Sequence, residues 1–144
     1  MKLDKKDKNI IMLMTDVSKL FHNKLKTKVN DDSKMVTYRP ILRVLQHHNG
    51  CTQLDIVNYT LLKAPTISIT LKNMENDGLI VRRASEQDKR NVNIYITEKG
   101  IEANEKVHSA ANELKEEILS DFTEQELSEI KEFLLKLLTK MEDI

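Results

Sequence analysis

The spacing of apolar residues divides the chain into helical segments and one extended segment. From Asp7 to Lys26 apolar residues recur at intervals of three and four, which is the period of an amphipathic helix. They are Ile10, Leu13, Met14, Val17, Leu20, Phe21 and Leu25. The next break comes from Asn30 to Ser33, where every residue type favours turns, so we expect the first helix to end there.

Two short helices are predicted after this break. Thr37 is a suitable cap for the second helix, and Pro40 then falls near its first turn, where a missing N–H does no harm. An Asn-Gly pair at 49–50 ends that helix. Thr52 and Asp55 form a capping-box pattern, which predicts the start of a short third helix.

The fourth helix is predicted to begin at Pro65 and to end at Gly78, a residue that suits a left-handed C-cap. Its inward apolar face comprises Ile67, Leu71 and Met74. The outward side chains carry hydroxyls, an amide, a cation and one apolar group, which suit contacts with base edges and phosphates. They are Thr66, Ser68, Ile69, Lys72 and Asn73.

Between Gly78 and Gly100 the apolar period changes to two. Residues 79–81 and 92–96 flank a polar stretch, which predicts a β-hairpin with a long charged tip. The hairpin carries Arg82, Arg83, Glu86, Asp88, Lys89 and Arg90. Its carboxylates can hold a cationic tip in shape, and arginine suits insertion into a narrow minor groove. The alternative interpretation is a solvated loop with ordinary surface ion pairs.

Two further helices complete the pattern. Thr97 begins the fifth, which reaches roughly Ser120, and a second capping box, Thr123 with Glu126, begins the last. The apolar stripe of the last helix comprises Leu127, Ile130, Leu134, Leu137, Leu138 and Met141. A lone stripe on each terminal helix needs a partner surface, and packing across a two-fold axis supplies one. The alternative is that both stripes cover a single monomeric core.

These elements predict a mainly α protein with a small β-hairpin wing. We predict a winged helix-turn-helix domain over residues 37–97, flanked by a helical dimerisation region over 1–36 and 98–144. The chain has 144 residues, of which 40% are hydrophobic and 32% charged, with three Gly and no Trp. That balance fits one helix-rich unit with helical extensions.

The net charge is zero, which by itself argues against a nucleic-acid partner. The distribution reverses this argument. Residues 1–37 carry +4 and residues 38–100 carry +3, whereas residues 101–144 carry −7. Because an anionic polymer responds to the local field, the predicted winged domain can still present a cationic face.

Other classes of function find little support in the sequence. There is no phosphate-binding Gly-rich loop, His-Glu-x-x-His or Gly-x-Ser-x-Gly motif, so we expect no enzyme and no cofactor. The single Cys51 cannot supply a multi-thiolate metal site, and His47 and His48 point about 100° apart on a helix. We find no signal sequence and no membrane span, and we expect a cytoplasmic protein.

The hairpin residues resemble those of a known family. The run Gly78-Leu79-Ile80-Val81-Arg82-Arg83, the triplet Asp88-Lys89-Arg90 and the ending Ile96-Thr97-Glu98-Lys99-Gly100 are similar to the MarR family of bacterial transcriptional regulators. The resemblance extends over most of the chain, because the order of helices also agrees. It implies a homodimer whose two winged domains bind double-stranded DNA at a pseudo-palindromic operator and repress transcription.

The resemblance also implies residue roles. The helix from Pro65 to Asn76 would be the recognition helix, Arg90 would enter the minor groove, Asp88 would orient it, and Arg82 would form a supporting ion pair. Lys89 is our candidate for the DNA backbone. Thr52 and Lys63 complete the candidate DNA contacts. Family members often respond to small aromatic or lipophilic effectors, which bind between the dimer helices and the winged domain.

The chain departs from the family pattern at two positions, which bear on where the recognition helix starts. Ala64 replaces a better capping residue, and Thr70 stands where an apolar residue is common. Two alternatives stay open for function. One is a winged-helix module that binds an acidic protein. The other is a thiol- or metal-responsive regulator that uses Cys51. If Cys51 is instead a structural residue, we expect its side chain to be buried.

Overall fold

A computed structural model describes residues 3–30 and 33–144. After a short 3-10 turn at Lys5–Asp7, the helices and strands run in the order α1 (Ile10–Val29), α2 (Ser33–His47), β1 (Cys51–Thr52), α3 (Gln53–Thr60), α4 (Ala64–Asn76), β2 (Ile80–Ala84), β3 (Val92–Ile96), α5 (Glu98–Leu119) and α6 (Glu124–Glu142). The predicted fold class, mainly α with a small β wing, is confirmed.

The sheet has the strand order β1-β3-β2, and both pairings are antiparallel. In the wing, Ile80 is opposite Ile96 and Ala84 is opposite Val92, so the predicted hairpin is present. Strand β1, in which Cys51 pairs with Ile94, was not predicted. Two residues are too few to produce a detectable alternation of apolar and polar positions.

The predicted start of α2 is wrong. Thr37 does not cap the helix, because α2 already begins at Ser33, and Pro40 therefore lies in the helix interior. There it leaves the carbonyl of Val36 without its helical donor. Burial of Met35, Val36 and Tyr38 favours the longer helix. Asp31 and Asp32, part of the predicted break, lie outside the described residues.

Both capping boxes are confirmed. The Thr52 hydroxyl accepts from the Asp55 N–H at 3.2 Å, and the Asp55 carboxylate accepts from the Thr52 N–H at 3.0 Å. These hydrogen bonds hold the pKa of Asp55 below its usual range. Thr123 and Glu126 make the same reciprocal pair at the start of α6. Each box satisfies N–H groups that a helix start otherwise leaves without partners.

The core of the winged domain lies where α2, α3 and α4 meet the sheet. Ile67, Leu71 and Met74 are fully buried, which confirms the predicted inward face of α4. The other fully buried side chains are Leu25, Ile41, Leu42, Leu45, Ile56, Leu79, Ile80, Ile94 and Val107. Each removes its apolar surface from water, a gain of about 1.5–3 kcal/mol per large side chain.

The chain divides into two compact units, residues 1–110 and residues 111–144. The first contains the winged domain and α1, and the second contains α6. Most of the apolar stripe of α6 is exposed, with Ile130, Leu134, Leu138 and Met141 each more than 40% accessible. Among the described residues, no helix is both long and apolar enough to cross a membrane.

Gly100, in the first turn of α5, lies against the start of the wing. A Cβ at this position would fall well inside contact distance of the Leu79 carbonyl oxygen and 2.6 Å from Ile96 Cγ1. The backbones of α5 and of Leu79, the residue before β2, approach each other this closely only because residue 100 has no side chain. Replacement by alanine must therefore move one of them apart.

We predict that Gly100→Ala destabilises the protein by about 1–3 kcal/mol, although a helical Gly→Ala change ordinarily stabilises by about 1 kcal/mol. Thermal unfolding followed by circular dichroism measures the change. Ser109→Ala, at an exposed position of the same helix, is the control and should leave the midpoint unchanged or slightly raised. A midpoint for Gly100→Ala equal to or above that of the parent would contradict the contact.

Candidate nucleic-acid interface

Helix α4 presents the predicted outward face to solvent. Thr66, Ser68, Ile69, Lys72 and Asn73 are all exposed. Ile69 is 64% accessible, so this face exposes one large apolar side chain among polar ones. Thr70 differs from its neighbours, because its hydroxyl donates to the Thr66 carbonyl at 2.7 Å. The face combines hydroxyl, amide, ammonium and methyl groups, the mixture that reads base edges in a major groove.

The N-terminal end of α4 has no side-chain cap. Lys63 occupies the cap position without making such a bond, Ala64 is the first helical residue, and Pro65 follows. The helix thus starts one residue earlier than predicted. Proline contributes no N–H, and the side chain of the cap residue accepts none from the first turn. The remaining N–H groups of that turn can therefore bind an anion.

Thr52 and Lys63, at the edges of the helix-turn-helix, differ in their surroundings. Thr52 is half-buried, and its hydroxyl oxygen accepts from Asp55 as a cap. Lys63 is exposed. Between them, Leu61 adopts a left-handed conformation, with φ of 60°, to make the turn from α3 into α4. The structure therefore holds Thr52 in its local turn, whereas Lys63 projects from the surface beside α4.

The wing tip is organised by Asp88. Its carboxylate accepts from the backbone N–H of Arg90 at 3.0 Å and from Arg90 Nε at 3.4 Å. Ser85 closes the other side of the tip, since its hydroxyl accepts from the N–H of Gln87 at 3.3 Å and of Asp88 at 3.4 Å. The Arg90 side chain is nevertheless 92% exposed. The carboxylate of Asp88 thus holds Arg90 through its backbone N–H and Nε, while the rest of the guanidinium faces solvent beside exposed Lys89.

Arg82 contacts the C-terminal end of α4. Its Nε atom lies 3.6 Å from Glu75 Oε2, an ion pair that is too long for a hydrogen bond. Because Arg82 is in β2 and Glu75 is in the last turn of α4, the pair joins wing and helix. Arg82 therefore contacts α4 and lies away from the exposed tip of the wing.

The remaining wing arginine, Arg83, was not predicted to make a specific contact. The Arg83 guanidinium lies 5.4 Å from the centre of the Tyr95 ring, a cation–π arrangement. The Tyr95 ring packs on Gly50, where a Cβ would fall 2.8 Å from the ring. Val81 is directly opposite Tyr95 across the hairpin, and Arg83, two residues further along the same strand, is its diagonal neighbour. This contact can be predicted only when the strand register is known.

Cys51 is half-buried in β1 and does not have the surroundings of a reactive thiol. Burial, followed by the negative charge of Asp55, raises the pKa of its thiol above the ordinary value. Thiol reactivity needs the thiolate, which a raised pKa disfavours. His48 stacks on Tyr59 with ring centres 4.5 Å apart, a contact that accounts for this histidine without a metal.

Helices α3 and α4, the sheet and the tethered arginine at the wing tip together define a winged helix-turn-helix protein. Comparison with known proteins agrees. A sequence profile described as MarR family matches residues 36–91. The crystal structure of a complex of Staphylococcus aureus MepR with DNA aligns with a TM-score of 0.83 and 28% identity, over 94% of this chain and 99% of that one.

Two curated proteins of Bacillus subtilis (strain 168) are similar over part of their length. The uncharacterised HTH-type transcriptional regulator YwoH is 30% identical over 60% of this chain and 62% of its own length. The organic hydroperoxide resistance transcriptional regulator is 36% identical over 52% of each chain. The chain thus spans only half to three-fifths of these relatives. With the profile match over residues 36–91 and the shared fold, the chain is similar to proteins of the MarR family.

We predict that Arg90→Ala weakens binding to a specific duplex by about tenfold or more, because the exposed guanidinium is the group best placed to enter a minor groove. A fluorescence titration with a duplex selected from a random pool measures the effect.

The matched control is Arg43→Ala, which removes an exposed arginine on α2, away from the wing. It should change the dissociation constant by less than twofold. Equal affinity of Arg90→Ala and the parent protein would rule out the role assigned to Arg90.

Proposed function

We propose that this protein is a sequence-specific DNA-binding transcriptional regulator that acts as a homodimer. The observation that carries the proposal is the solvent-facing set of polar and cationic groups on α4, next to a wing whose arginine is tethered by Asp88 and 92% exposed. A recognition helix and an adjacent wing tip are the two elements with which a winged domain contacts neighbouring grooves. The S. aureus relative that shares the fold was solved bound to DNA.

Selection of duplexes from a random pool tests sequence specificity. The expected result is a pseudo-palindromic consensus with half-sites about one helical turn apart, since a two-fold protein requires a two-fold site. Competition with random duplex then measures the ratio of specific to non-specific affinity. If an acidic protein were the true partner, the selection would return no consensus.

The homodimer is supported by apolar faces that the single chain leaves uncovered. Along α1, Ile10, Leu13, Val17 and Leu20 are spaced as one stripe and are each 40% or more exposed. The stripe of α6 is equally open, and Phe133 beside it is 65% exposed. Exposed apolar stripes of this kind are typical of interfaces. A second copy of this chain offers the same two stripes and requires no other partner.

We predict that Leu134→Glu converts the dimer to a monomer and lowers operator affinity by at least tenfold, because it places a charge in the centre of the α6 stripe. Sedimentation at micromolar concentration reports the mass. Lys136→Gln, on the opposite face of α6, alters net charge by the same amount and should leave the dimer intact. A parent protein that sediments at 16.7 kDa would refute the dimer itself.

We further propose that the dimer represses transcription and is released from DNA by a small molecule. A cavity of about 350 Å³ lies among α1, α2 and α4 and is lined by Phe21, Leu25, Arg39 and two threonines of α4, Thr66 and Thr70. Arg39 Nε is buried there and has no hydrogen-bond partner among the described residues. An occupant of this cavity would touch the recognition helix directly.

The chemistry of the cavity favours an aromatic carboxylate. Burial, and then the positive charge of Arg43, lower the pKa of Arg39, because both disfavour its charged form. A bound anion would offset both effects, because an opposite charge and hydrogen bonds stabilise a buried guanidinium. The apolar walls formed by Phe21 and Leu25 suit the ring.

We predict that millimolar benzoate raises the operator dissociation constant of the parent protein several-fold and has no effect on Arg39→Gln. Lys136→Gln, which removes a cation of α6 that does not line this cavity, should respond like the parent. Fluorescence anisotropy of labelled operator measures all three. An equal response of the parent and Arg39→Gln would place the effector elsewhere, and no response in any protein would exclude aromatic carboxylates from the cavity.

A further inference from the structure

The two ends of recognition helix α4 are held very differently. At the N-terminal end no side chain caps the helix. At the C-terminal end Gly78, with φ of +77°, donates to the Glu75 carbonyl at 3.0 Å, and Leu79 donates to the Met74 carbonyl at 3.0 Å. This pair of bonds is a Schellman motif, and buried Leu79 and Met74 supply its apolar contact. Capping hydrogen bonds therefore anchor the helix at its C-terminal end.

Asp77, the C-cap residue, connects the anchored end to two other helices. Its carboxylate accepts from the Tyr38 hydroxyl of α2 at 2.9 Å and pairs with Lys34 Nζ of α2 at 3.2 Å. Its carbonyl accepts from Lys99 Nζ of α5 at 2.8 Å. The next carbonyl, that of Gly78, accepts from the Thr97 hydroxyl at 2.6 Å. We call Lys34, Tyr38, Asp77 and Lys99 the Asp77 hub.

Tyr38 is the member of the hub with the least freedom. It is only 6% exposed, and a buried hydroxyl needs a partner, so the position of Asp77 is coupled to the position of α2. Lys34, in contrast, is 58% exposed and adds little by itself. Burial and the bond to Asp77 raise the pKa of Tyr38 to about 12, so the hydroxyl remains a donor at physiological pH.

A helix of 13 residues is about 20 Å long, so a rotation of about 5° at its anchored end moves the other end by nearly 2 Å. That distance is enough to break hydrogen bonds to base edges. We propose that Tyr38 and Asp77 are positioning residues that set the angle of α4, and so determine sequence specificity without touching DNA. This inference rests on the proposed function of α4 in DNA binding.

The test is Tyr38→Phe, which removes one hydroxyl and keeps the ring in the core. We expect the affinity for a selected duplex to fall about three- to tenfold, the net effect of one ordinary hydrogen bond. The affinity for random duplex and the salt dependence should not change, because phosphate contacts are untouched. Tyr59→Phe, which preserves an exposed ring far from the hub, is the matched control and should behave like the parent.

Lys34→Gln provides a second variant at an exposed position where folding is not at risk. It leaves the Tyr38 bond in place, and we expect it to lower specific affinity by less than Tyr38→Phe does. Equal losses of specific and non-specific affinity in Tyr38→Phe would indicate a merely structural role and overturn the proposal. Unchanged specific affinity would overturn it equally.

Hydrogen exchange measured without DNA separates this proposal from the proposed function. In Tyr38→Phe the amides of residues 75–79 should exchange faster than in the parent and in Tyr59→Phe, while those of α3 keep their rates. Unaltered exchange at residues 75–79 would contradict the hub. If instead the parent fails to prefer any duplex while exchange at 75–79 responds as expected, DNA recognition fails and the anchoring role of the hub stands.

Discussion

The turn through Gly78 and Leu79 is the constraint on which the rest of the winged domain depends. Leu79 is fully buried, its N–H bonds to the end of α4, and its carbonyl accepts from the N–H of Thr97 at 3.0 Å. Gly100 packs against that same carbonyl. Helix α4, the wing and α5 are therefore joined at one residue, and a displacement of any of them must be accommodated by the other two.

Charge in the winged domain is arranged by carboxylates that orient cations. Asp88 directs Arg90 outward, Glu75 draws Arg82 toward α4, and Asp77 ties α4 to α2. Exposed ion pairs of this kind contribute at most about 1 kcal/mol each to stability. Their importance lies in geometry, because an arginine that is already oriented loses less conformational freedom on binding. A chain of zero net charge can in this way present cations where an anionic partner would approach.

The uncovered stripes of α1 and α6 add a second constraint. Their large apolar side chains are costly to leave in water. The proposed self-association would cover them.

The sequence by itself determined what depends on neighbouring residues. Both capping boxes, the inward face of α4 and the wing strands follow from spacings of two to four residues, and all are present in the structure. The start of α2 was predicted incorrectly, because burial of Met35 and Val36 outweighs the local preference of Thr37 for a cap. The short strand β1 was missed for want of length.

Only the tertiary structure decided which charged and polar groups meet. Tyr38 and Asp77 are 39 residues apart, and neither has a local signal that points to the other. The expected ion pair of Arg82 had no partner named from the sequence; in the structure that partner is Glu75, since antiparallel pairing and the turn at Gly78 place β2 next to the end of α4. The physical reason is general: a helical or strand period is a local property, whereas the partner of a side chain depends on how separate elements pack.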